Sequence, residues 1–360
     1  MVLKLSLSMS ILRQMSFRFI PYMLELNRPF SIAGSTRSTT PAVIVQIERD
    51  GTKGYGEASM PPYLGESLTT AEAFLSRVNL EQYESLFPLE EIVRDIDALA
   101  PENNAAKAAV DIALHDWAGK TMGYSWHSKW ELNAQTIPPT SYTIGMDSKQ
   151  GLRERLRGAG EFKILKVKLG GTRDKEMIDT IREMTDQIIR VDANQGWRNK
   201  SDALEIIHWL AQRGVELVEQ PLPKEQVDDI AWLRERSPLP IIADEAVRRL
   251  SDLRSALGVY DGINVKLMKC TGMMEAHRMI TTARQLGMKV MLGCMTETSC
   301  GISAAAQLAP LADWVDLDGA LLIKNDPFRG VEIVGGRLVT PDKPGIGVEP
   351  VVDMFGSSGN

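Results

Sequence analysis

Two lysines stand one residue apart in the stretch FKILKVKLGG, residues 162–171, where the apolar neighbours indicate a buried strand. Because side chains alternate along a strand, Lys166 and Lys168 must point to the same side. Two explanations are open: a half-exposed strand with a hydrated lysine face, or a strand whose inner face opens into a polar site. Since lysine is almost never fully buried, this stretch alone favours the hydrated face.

Three acidic residues each stand at the end of a short apolar run: Asp192 in IIRVDAN, Glu219 in VELVEQ and Asp244 in LPIIADE. If these runs are neighbouring parallel strands, the three carboxylates converge and repel one another. A hard divalent cation would neutralise them, and Mg²⁺ suits this role because substrate oxygens can complete its octahedron. The alternative is that each acid forms a structural ion pair with a nearby lysine or arginine.

A third lysine, Lys266, stands near the end of the run GINVKL, and in an eight-stranded barrel it would lie on the wall opposite Lys168. One amine on each side of a bound substrate suits the transfer of a proton from one face of a carbon to the other. A general base must first lose its own proton, and the pKa of a buried lysine falls when a second cation is close. Lys166 can be that second cation, and it can also donate a hydrogen bond to a substrate carboxylate.

The elements that must position these groups alternate regularly after Pro138. Eight short apolar runs alternate with amphipathic helical stretches at a spacing of roughly 25 residues, which is typical of a (β/α)₈ barrel. An open doubly wound sheet is the rival, but no GxGxxG or P-loop follows the first run. Active sites of barrels lie where the strands end, and the lysines and acids stand there. The runs cover residues 140–145, 164–169, 188–194, 215–220, 239–245, 262–267, 289–295 and 314–319.

The N-terminal part has a different organisation. Residues 15–65 read as a strand meander, and residues 68–121 as helices, the last of them an Ala-rich amphipathic segment. Strands followed by helices indicate an α+β module. The residues before it are interpreted as a leader into the first strand, with Met9 or Met15 as alternative starts. The predicted domains are an α+β module at 1–136, the α/β barrel at 137–325, and a tail at 326–360 that returns to the first module.

Composition excludes several classes of function. The 360 residues carry a formal net charge of -6 with a pI near 5.5, which provides no electrostatic footprint for nucleic acid or an anionic membrane. Partners are therefore expected to be small molecules. The three cysteines have no CxxC pairing, so neither a disulfide framework nor a structural zinc site is indicated, and a reducing cytoplasm fits best. No window has the apolar length of a transmembrane helix.

As a set, the motifs KVK, VDANQGW, VEQP, ADE, INVKLMK and DLDG resemble the enolase superfamily, specifically its muconate-lactonizing-enzyme branch. The resemblance implies abstraction of a proton α to a carboxylate, with one Mg²⁺ per subunit stabilising the resulting enediolate. It implies metal ligation by Asp192, Glu219 and Asp244, and proton exchange by Lys168 and Lys266. GYGEAS, residues 54–59, looks like the loop of the family's capping domain that lies over the barrel mouth.

The eighth run, WVDLDG, distinguishes members of the branch. Asp316 and Asp318 are two residues apart, so they share one face and form a concentrated negative site. This is similar to the feature by which dipeptide epimerases hold the substrate's N-terminal amine, and it implies inversion of the α-carbon of the C-terminal residue in a substrate of the L-Ala-D/L-Glu type. Alternatively, the two acids cap the following helix or pair with basic side chains.

Other reactions share the same motifs. Cycloisomerases, o-succinylbenzoate synthases and N-acylamino acid racemases also belong to this branch, and the latter two activities are the nearest alternatives. A protein of a different class, which binds a metal on this scaffold without catalysis, is a further alternative. Lysines on both faces disfavour it, because recognition alone does not require them.

Substrate specificity is expected from loops of the capping domain. By resemblance, Arg37 in SIAGSTRSTT would pair with a glutamate side chain of the substrate, whereas an Arg37 that points away would make an apolar second residue equally reasonable. Thr143 on the first strand and Cys294, Met295 and Thr296 on the seventh are further expected substrate contacts.

Some polar residues are expected to have no role in the chemistry. Lys269 and Glu297 are interpreted as structural. The histidines are assigned to helices or a loop, so no histidine base is expected; they are His115, His127, His208 and His277.

Overall fold

The structure is a computed structural model that describes residues 15–32 and 35–356. The alternative start at Met9 lies outside the described residues, as does most of the leader. No helix in the described ranges is long and apolar enough to cross a membrane.

The N-terminal module begins with an antiparallel sheet, which confirms the predicted meander. Its strands are β1 (Met15–Ile32), β2 (Ser35–Arg49) and β3 (Thr52–Ser59), in the order β1-β2-β3. Asp50 and Gly51 join β2 to β3, and both have positive φ angles, of 52° and 79°. An Asp-Gly pair of this kind gives a tight hairpin whose twist matches that of the flanking strands.

Helices follow this sheet in the N-terminal module. They are α1 (Leu68–Leu75), α2 (Leu89–Asp97), α3 (Asn104–Met122) and α4 (Trp126–Lys129). The helices α1 and α3 contact the sheet directly.

The helix α3 is buried on nearly all sides rather than amphipathic, which corrects the prediction. Residues 104–119 are all buried, because α3 lies between the cap sheet and the barrel helices. Gly54 and Gly56 of β3 allow the close packing, since a Cβ atom at either position would collide with the backbone of Ala113 or Ala109. The Ala-rich sequence therefore reflects tight contact with two layers.

Eight parallel strands form the second sheet, which confirms the predicted barrel. They are hydrogen-bonded in chain order, and an isolated bridge between Thr140 and Val315 brings the two edge strands together. The strands are β4 (Tyr142–Ile144), β5 (Ile164–Lys168), β6 (Ile188–Asp192), β7 (Val215–Glu219), β8 (Ile241–Ala243), β9 (Gly262–Val265), β10 (Lys289–Gly293) and β11 (Trp314–Asp316).

The helices around this sheet are α5 (Lys149–Gly158), α6 (Asp174–Arg182), α7 (Lys200–Ala211), α8 (Val227–Arg236), α9 (Leu253–Ala256), α10 (Met273–Gln285) and α11 (Ser299–Ala306). A short 3₁₀ turn, Gly319–Leu322, follows β11.

The C-terminal tail contains short strands and contacts the N-terminal module. The backbone N–H of Ile346 donates to Asp116 on α3, and Arg18 on β1 donates through Nη1 to the carbonyl of Phe355. These contacts support the domain division that we propose from the sequence. The tail strands are β12 (Phe328–Arg329), β13 (Glu332–Val334), β14 (Arg337–Val339) and β15 (Glu349–Pro350).

Candidate active site

The lysine pair of β5 points into the barrel. Lys166 is only 1% exposed and Lys168 is 9% exposed, so the hydrated-face explanation is wrong. The ammonium groups of Lys166 and Lys168 lie 3.6 and 2.5 Å from the same atom, Asp192 Oδ2. Lysines are tolerated at this depth because carboxylates surround them.

The register of the sheet brings the three strand-end acids together. Lys168 pairs with Asp192 across β5 and β6, and Asp192 pairs with Glu219 across β6 and β7, so their side chains enter at one height. Asp244 follows β8 directly. Asp192, Glu219 and Asp244 are buried, and one carboxylate oxygen of each lies within 4.8 Å of the others.

Each acid has one oxygen fixed by a hydrogen-bond donor from the protein. The three donors come from a backbone amide, a side-chain amide and an ammonium group. They are Asn194 N–H to Asp192 Oδ1 at 2.9 Å, Asn264 Nδ2–H to Glu219 Oε1 at 2.7 Å, and Lys269 Nζ–H to Asp244 Oδ1 at 2.5 Å.

The other oxygen of each acid faces a lysine of the cavity. The contacts are Lys168 with Asp192 Oδ2 at 2.5 Å, Lys166 with Glu219 Oε2 at 2.7 Å, and Lys266 with Asp244 Oδ2 at 2.6 Å. Each acid therefore does form an ion pair with a lysine, as the alternative to a metal site predicted. Glu219 Oε2 nevertheless accepts no hydrogen bond with suitable geometry from the described residues. Three buried oxygens, one from each acid, fit the hard oxygen ligands that Mg²⁺ requires.

The pKa values of these groups depend on each other. Burial disfavours the ammonium of Lys266, but the acidic groups around it, Asp244 first among them, together outweigh burial and raise the Lys266 pKa well above its usual value. The expected lowering of a base's pKa is thus not found at Lys266, because its nearest partner is an anion. Burial favours the neutral form of Asp244, yet Lys266 and Lys269 hold the Asp244 pKa well below its usual range. Burial raises the pKa of Glu219.

Lys168 and Lys266 lie on opposite walls. Lys168 ends β5 and Lys266 directly follows β9, and these two strands are separated by three strands of an eight-stranded sheet whose edges meet. Asp192, Glu219 and Asp244 come from those three intervening strands or the residue just after one of them. A molecule bound against the acids would therefore have one amine at each face.

The two acids after β11 differ in their environment. Asp316 is paired, since it accepts hydrogen bonds from Lys166 and Ser141, each at 2.6 Å. Asp318 accepts from the backbone N–H and the hydroxyl of Thr143, at 2.6 and 3.0 Å, and no lysine or arginine of the described ranges forms an ion pair with it. Its side chain does not cap the turn Gly319–Leu322. Burial, followed by the charge of Asp316, raises the Asp318 pKa to about 7.

Arg37 points into the same cavity from the N-terminal module. Its Nη2 donates to the hydroxyl of Thr296 at 3.0 Å, while its Nε is buried with no hydrogen-bond acceptor among the described residues. The guanidinium also lies over the ring of Phe30. A cation with an unused donor therefore lines the same cavity as Asp318, where the cap meets the barrel.

One cavity contains all the predicted substrate contacts together with both lysines that the sequence analysis predicts to be catalytic. The predicted residues in its lining are Arg37, Thr143, Lys166, Lys168, Lys266, Cys294, Met295, Thr296, Asp316 and Asp318. The three acids lie next to these lysines.

Four residues of the cavity wall were given no role from the sequence: Phe30, Tyr63, Asn194 and Leu322. Asn194 carried a signal, because it follows Asp192 by two residues in VDAN at a strand end. The other three carry no local pattern, since they reach the site only through the packing of the cap and of the turn after β11. The inner donor Asn264 was also missed, although it stands two residues before Lys266 and so shares its face.

The stretch GYGEAS is part of the strand β3 and not a loop, which corrects the expectation. Its end still contacts the barrel, where the Ser59 hydroxyl donates to the carbonyl of Thr296 and Glu57 accepts from the N–H groups of Thr298 and Gly301.

Residues interpreted as structural lie outside the cavity lining. Lys269 donates to Asp244 and to backbone carbonyls, and Glu297 accepts from the N–H of Met295. The four histidines all lie on helices, and none lines the cavity within the described chain; they are on α3, α4, α7 and α10.

Comparisons with known proteins match the whole arrangement. Residues 17–128 match the family model of the mandelate racemase/muconate lactonizing enzyme N-terminal domain, and residues 148–354 match the enolase C-terminal domain-like model. The L-Ala-D/L-Glu epimerase of Bacteroides thetaiotaomicron is 55% identical over 336 residues, which cover 93% of this chain and 88% of that protein.

Two solved structures are similar over nearly their full length. One is a substrate-liganded complex of the L-Ala-D/L-Glu epimerase from Bacillus subtilis, with a TM-score of 0.86, 31% identity, and coverage of 92% of this chain and 98% of that one. The other is a dipeptide epimerase from Cytophaga hutchinsonii complexed with Mg and D-Ala-L-Val, with a TM-score of 0.88, 28% identity, and coverage of 95% and 97%.

Proposed function

Because the chain belongs to the mandelate racemase/muconate lactonizing enzyme branch of the enolase superfamily, we propose that it is an isomerase that epimerises dipeptides at the α-carbon of the C-terminal residue. The observation that carries the proposal is the pair of lysines, Lys168 and Lys266, on opposite walls of one cavity with three acids between them. A substrate of the L-Ala-D/L-Glu type is supported by Asp318 and Arg37, which offer opposite charges in that cavity.

Asp192, Glu219 and Asp244 would hold one Mg²⁺ through the oxygen that each turns away from its inner donor. When bound, the ion supplies positive charge to the substrate carboxylate, which makes the neighbouring α-proton acidic enough for an amine to remove. If Asp244 also bound a cation, its attraction for the ammonium group of Lys266, which raises the pKa of that lysine, would be weaker. Lys266 would then lose its proton more readily.

The two lysines exchange roles with the configuration of the substrate. The lysine on the side of the α-hydrogen removes it as the general base, and the protonated lysine on the opposite side delivers a proton to the other face. Lys166, which contacts the acids and Asp316 but lies on the same strand as Lys168, stays charged and is placed to hold the substrate carboxylate.

The N-terminal amine of the dipeptide is proposed to bind Asp318. This carboxylate is oriented by Thr143, has no basic partner in the described chain, and lies in the same cavity as both lysines. An ammonium group would supply the missing counter-charge. The side chain of the second residue would then extend toward Arg37, whose unused Nε–H suits a carboxylate.

The proposal is tested by hydrogen exchange in D₂O. The wild-type protein should introduce deuterium at the α-carbon of the C-terminal residue from either epimer of Ala-Glu, as measured by mass spectrometry and proton NMR. Lys168→Met and Lys266→Met should each lose net epimerisation, and each should retain slow exchange with only the epimer that faces its remaining lysine. Absence of exchange with every dipeptide would refute the proposal.

Substrate panels separate the alternatives. Exchange of N-succinylated or N-acylated amino acids with no exchange of dipeptides would identify an N-acylamino acid racemase. Saturable binding of a dipeptide without exchange would identify a binding protein. Among dipeptides, equal rates for Ala-Glu and Ala-Leu would contradict the role proposed for Arg37.

A further inference from the structure

Asn264 is buried on β9, two residues before Lys266, and its amide faces the acids from the inside of the barrel. Its Nδ2 donates to Glu219 Oε1 at 2.7 Å. Gly293 on the neighbouring strand β10 makes room for this amide, because a Cβ atom at that position would collide with both Oδ1 and Nδ2 of Asn264. The position of the Asn264 amide therefore depends on residues of two neighbouring strands, β9 and β10.

The contact with Asn264 gives the two carboxylate oxygens of Glu219 different environments. Oε1 is held by Asn264, whereas Oε2 lies 2.7 Å from the ammonium group of Lys166 and accepts no hydrogen bond with suitable geometry from the described residues. A glutamate without such a donor is able to turn both oxygens to one cation. Ca²⁺ accepts carboxylates through both oxygens and takes six to eight ligands, while Mg²⁺ requires a smaller octahedral set.

We propose that Asn264 is a positioning residue that restricts Glu219 to one metal-facing oxygen and thereby makes the site favour Mg²⁺ over Ca²⁺. The inference rests on the divalent-ion site of the proposed function. Asp192 and Asp244 have inner donors of their own, Asn194 and Lys269, so removal of Asn264 changes the restraint on Glu219 alone.

The experiment replaces Asn264 by leucine, which has a similar size and no donor. Titration calorimetry with Mg²⁺ alone and with Ca²⁺ alone, in the absence of substrate, measures both affinities. The Mg²⁺ Kd should rise by about 10- to 100-fold, as is common when an outer-shell partner is removed, and the Ca²⁺ Kd should change less. The preference for Mg²⁺ over Ca²⁺ should therefore fall.

The matched control is Gln307→Leu, which removes another buried amide. Gln307 bonds His127 and the carbonyl of Ile346 and contacts none of the acids, so this variant should keep the wild-type preference. A folded Asn264→Leu protein with an unchanged ratio of the two affinities would overturn the inference. If the wild type bound no Mg²⁺, the proposed function would fall together with it.

A second measurement needs no variant. A crystal structure of the wild-type protein with Mg²⁺ should show Glu219 bound through Oε2 alone, with Asn264 still donating to Oε1. Glu219 bound through both oxygens would overturn the inference even if the leucine variant did not fold, and would leave the proposed reaction intact.

Discussion

Asp318 is a buried carboxylate of the cavity that has no basic partner among the described residues. It is 2% exposed, and its donors come from Thr143 rather than from a basic side chain. Asp316, two residues earlier, already neutralises Lys166. Asp316 is thus already paired with a lysine, whereas Asp318 is available to an ammonium group. The sequence alone could not distinguish these two environments.

Asp318→Asn should lower kcat/KM for Ala-Glu by roughly 10- to 100-fold, because a charged hydrogen bond is lost. The pKa of Asp318 is raised to about 7, so the wild-type carboxylate ionises as the pH rises through that value, and kcat/KM should rise with it. The variant should lack this step in a pH profile.

An N-acetylated dipeptide serves as the control substrate, since it carries no ammonium group. Its slow reaction should respond little to the substitution. An equal loss with both substrates would show that Asp318 supports the fold and does not bind the amine.

At the scale of elements, the cap strand β3 reaches the start of a barrel helix. Glu57, which is buried on β3, accepts hydrogen bonds from the N–H groups of Thr298 and Gly301 at the first turn of α11 and from the Thr298 hydroxyl. Burial, and then the nearby Glu297, raise the Glu57 pKa to about 8. This contact joins the two modules next to the segment that carries Thr296.

The free energy of unfolding should decrease as the pH rises from about 5 to 8. In the unfolded chain Glu57 loses its proton near the ordinary value of 4.5, whereas the folded protein keeps the proton until about pH 8, so rising pH favours the unfolded state over this interval. Glu57→Gln, which has no proton to lose, should flatten the decrease in urea unfolding.

Glu81→Gln, an exposed change in the same module, should leave the pH dependence as in the wild type. Identical slopes for Glu57→Gln and wild type would show that Glu57 is ionised in the folded protein.

Elements with a local pattern could be predicted from the sequence, and those shaped by distant contacts could not. The eight strands and their terminal acids were recognised because alternation and strand ends are local features. The burial of α3 depends on Gly54 and Gly56, some 50 residues earlier, and the approach of Tyr63 to Met295 crosses more than 200 residues. No short window contains either relationship.

At the scale of the whole molecule, the candidate ion site links three consecutive strands of the barrel. Asp192, Glu219 and Asp244 bring three negative charges into a buried region, balanced by Lys166, Lys168, Lys266 and Lys269. An ion that binds this arrangement only in the folded chain must stabilise the fold by mass action.

Mg²⁺ at 100 times its Kd should raise the free energy of unfolding by about 2.7 kcal/mol. Urea unfolding of EDTA-treated protein, with and without added Mg²⁺, measures the difference. Asp244→Asn should reduce the gain, and NaCl at equal ionic strength is the control. The same gain from NaCl would show general screening of charge in place of a specific site.

The cavity wall has two origins. Phe30, Arg37 and Tyr63 come from the N-terminal module, and the lysines and acids come from the barrel. For protein engineers, a library confined to Phe30, Arg37 and residues 60–66 should therefore alter which peptide is accepted without changing the lysines that we propose to transfer the proton.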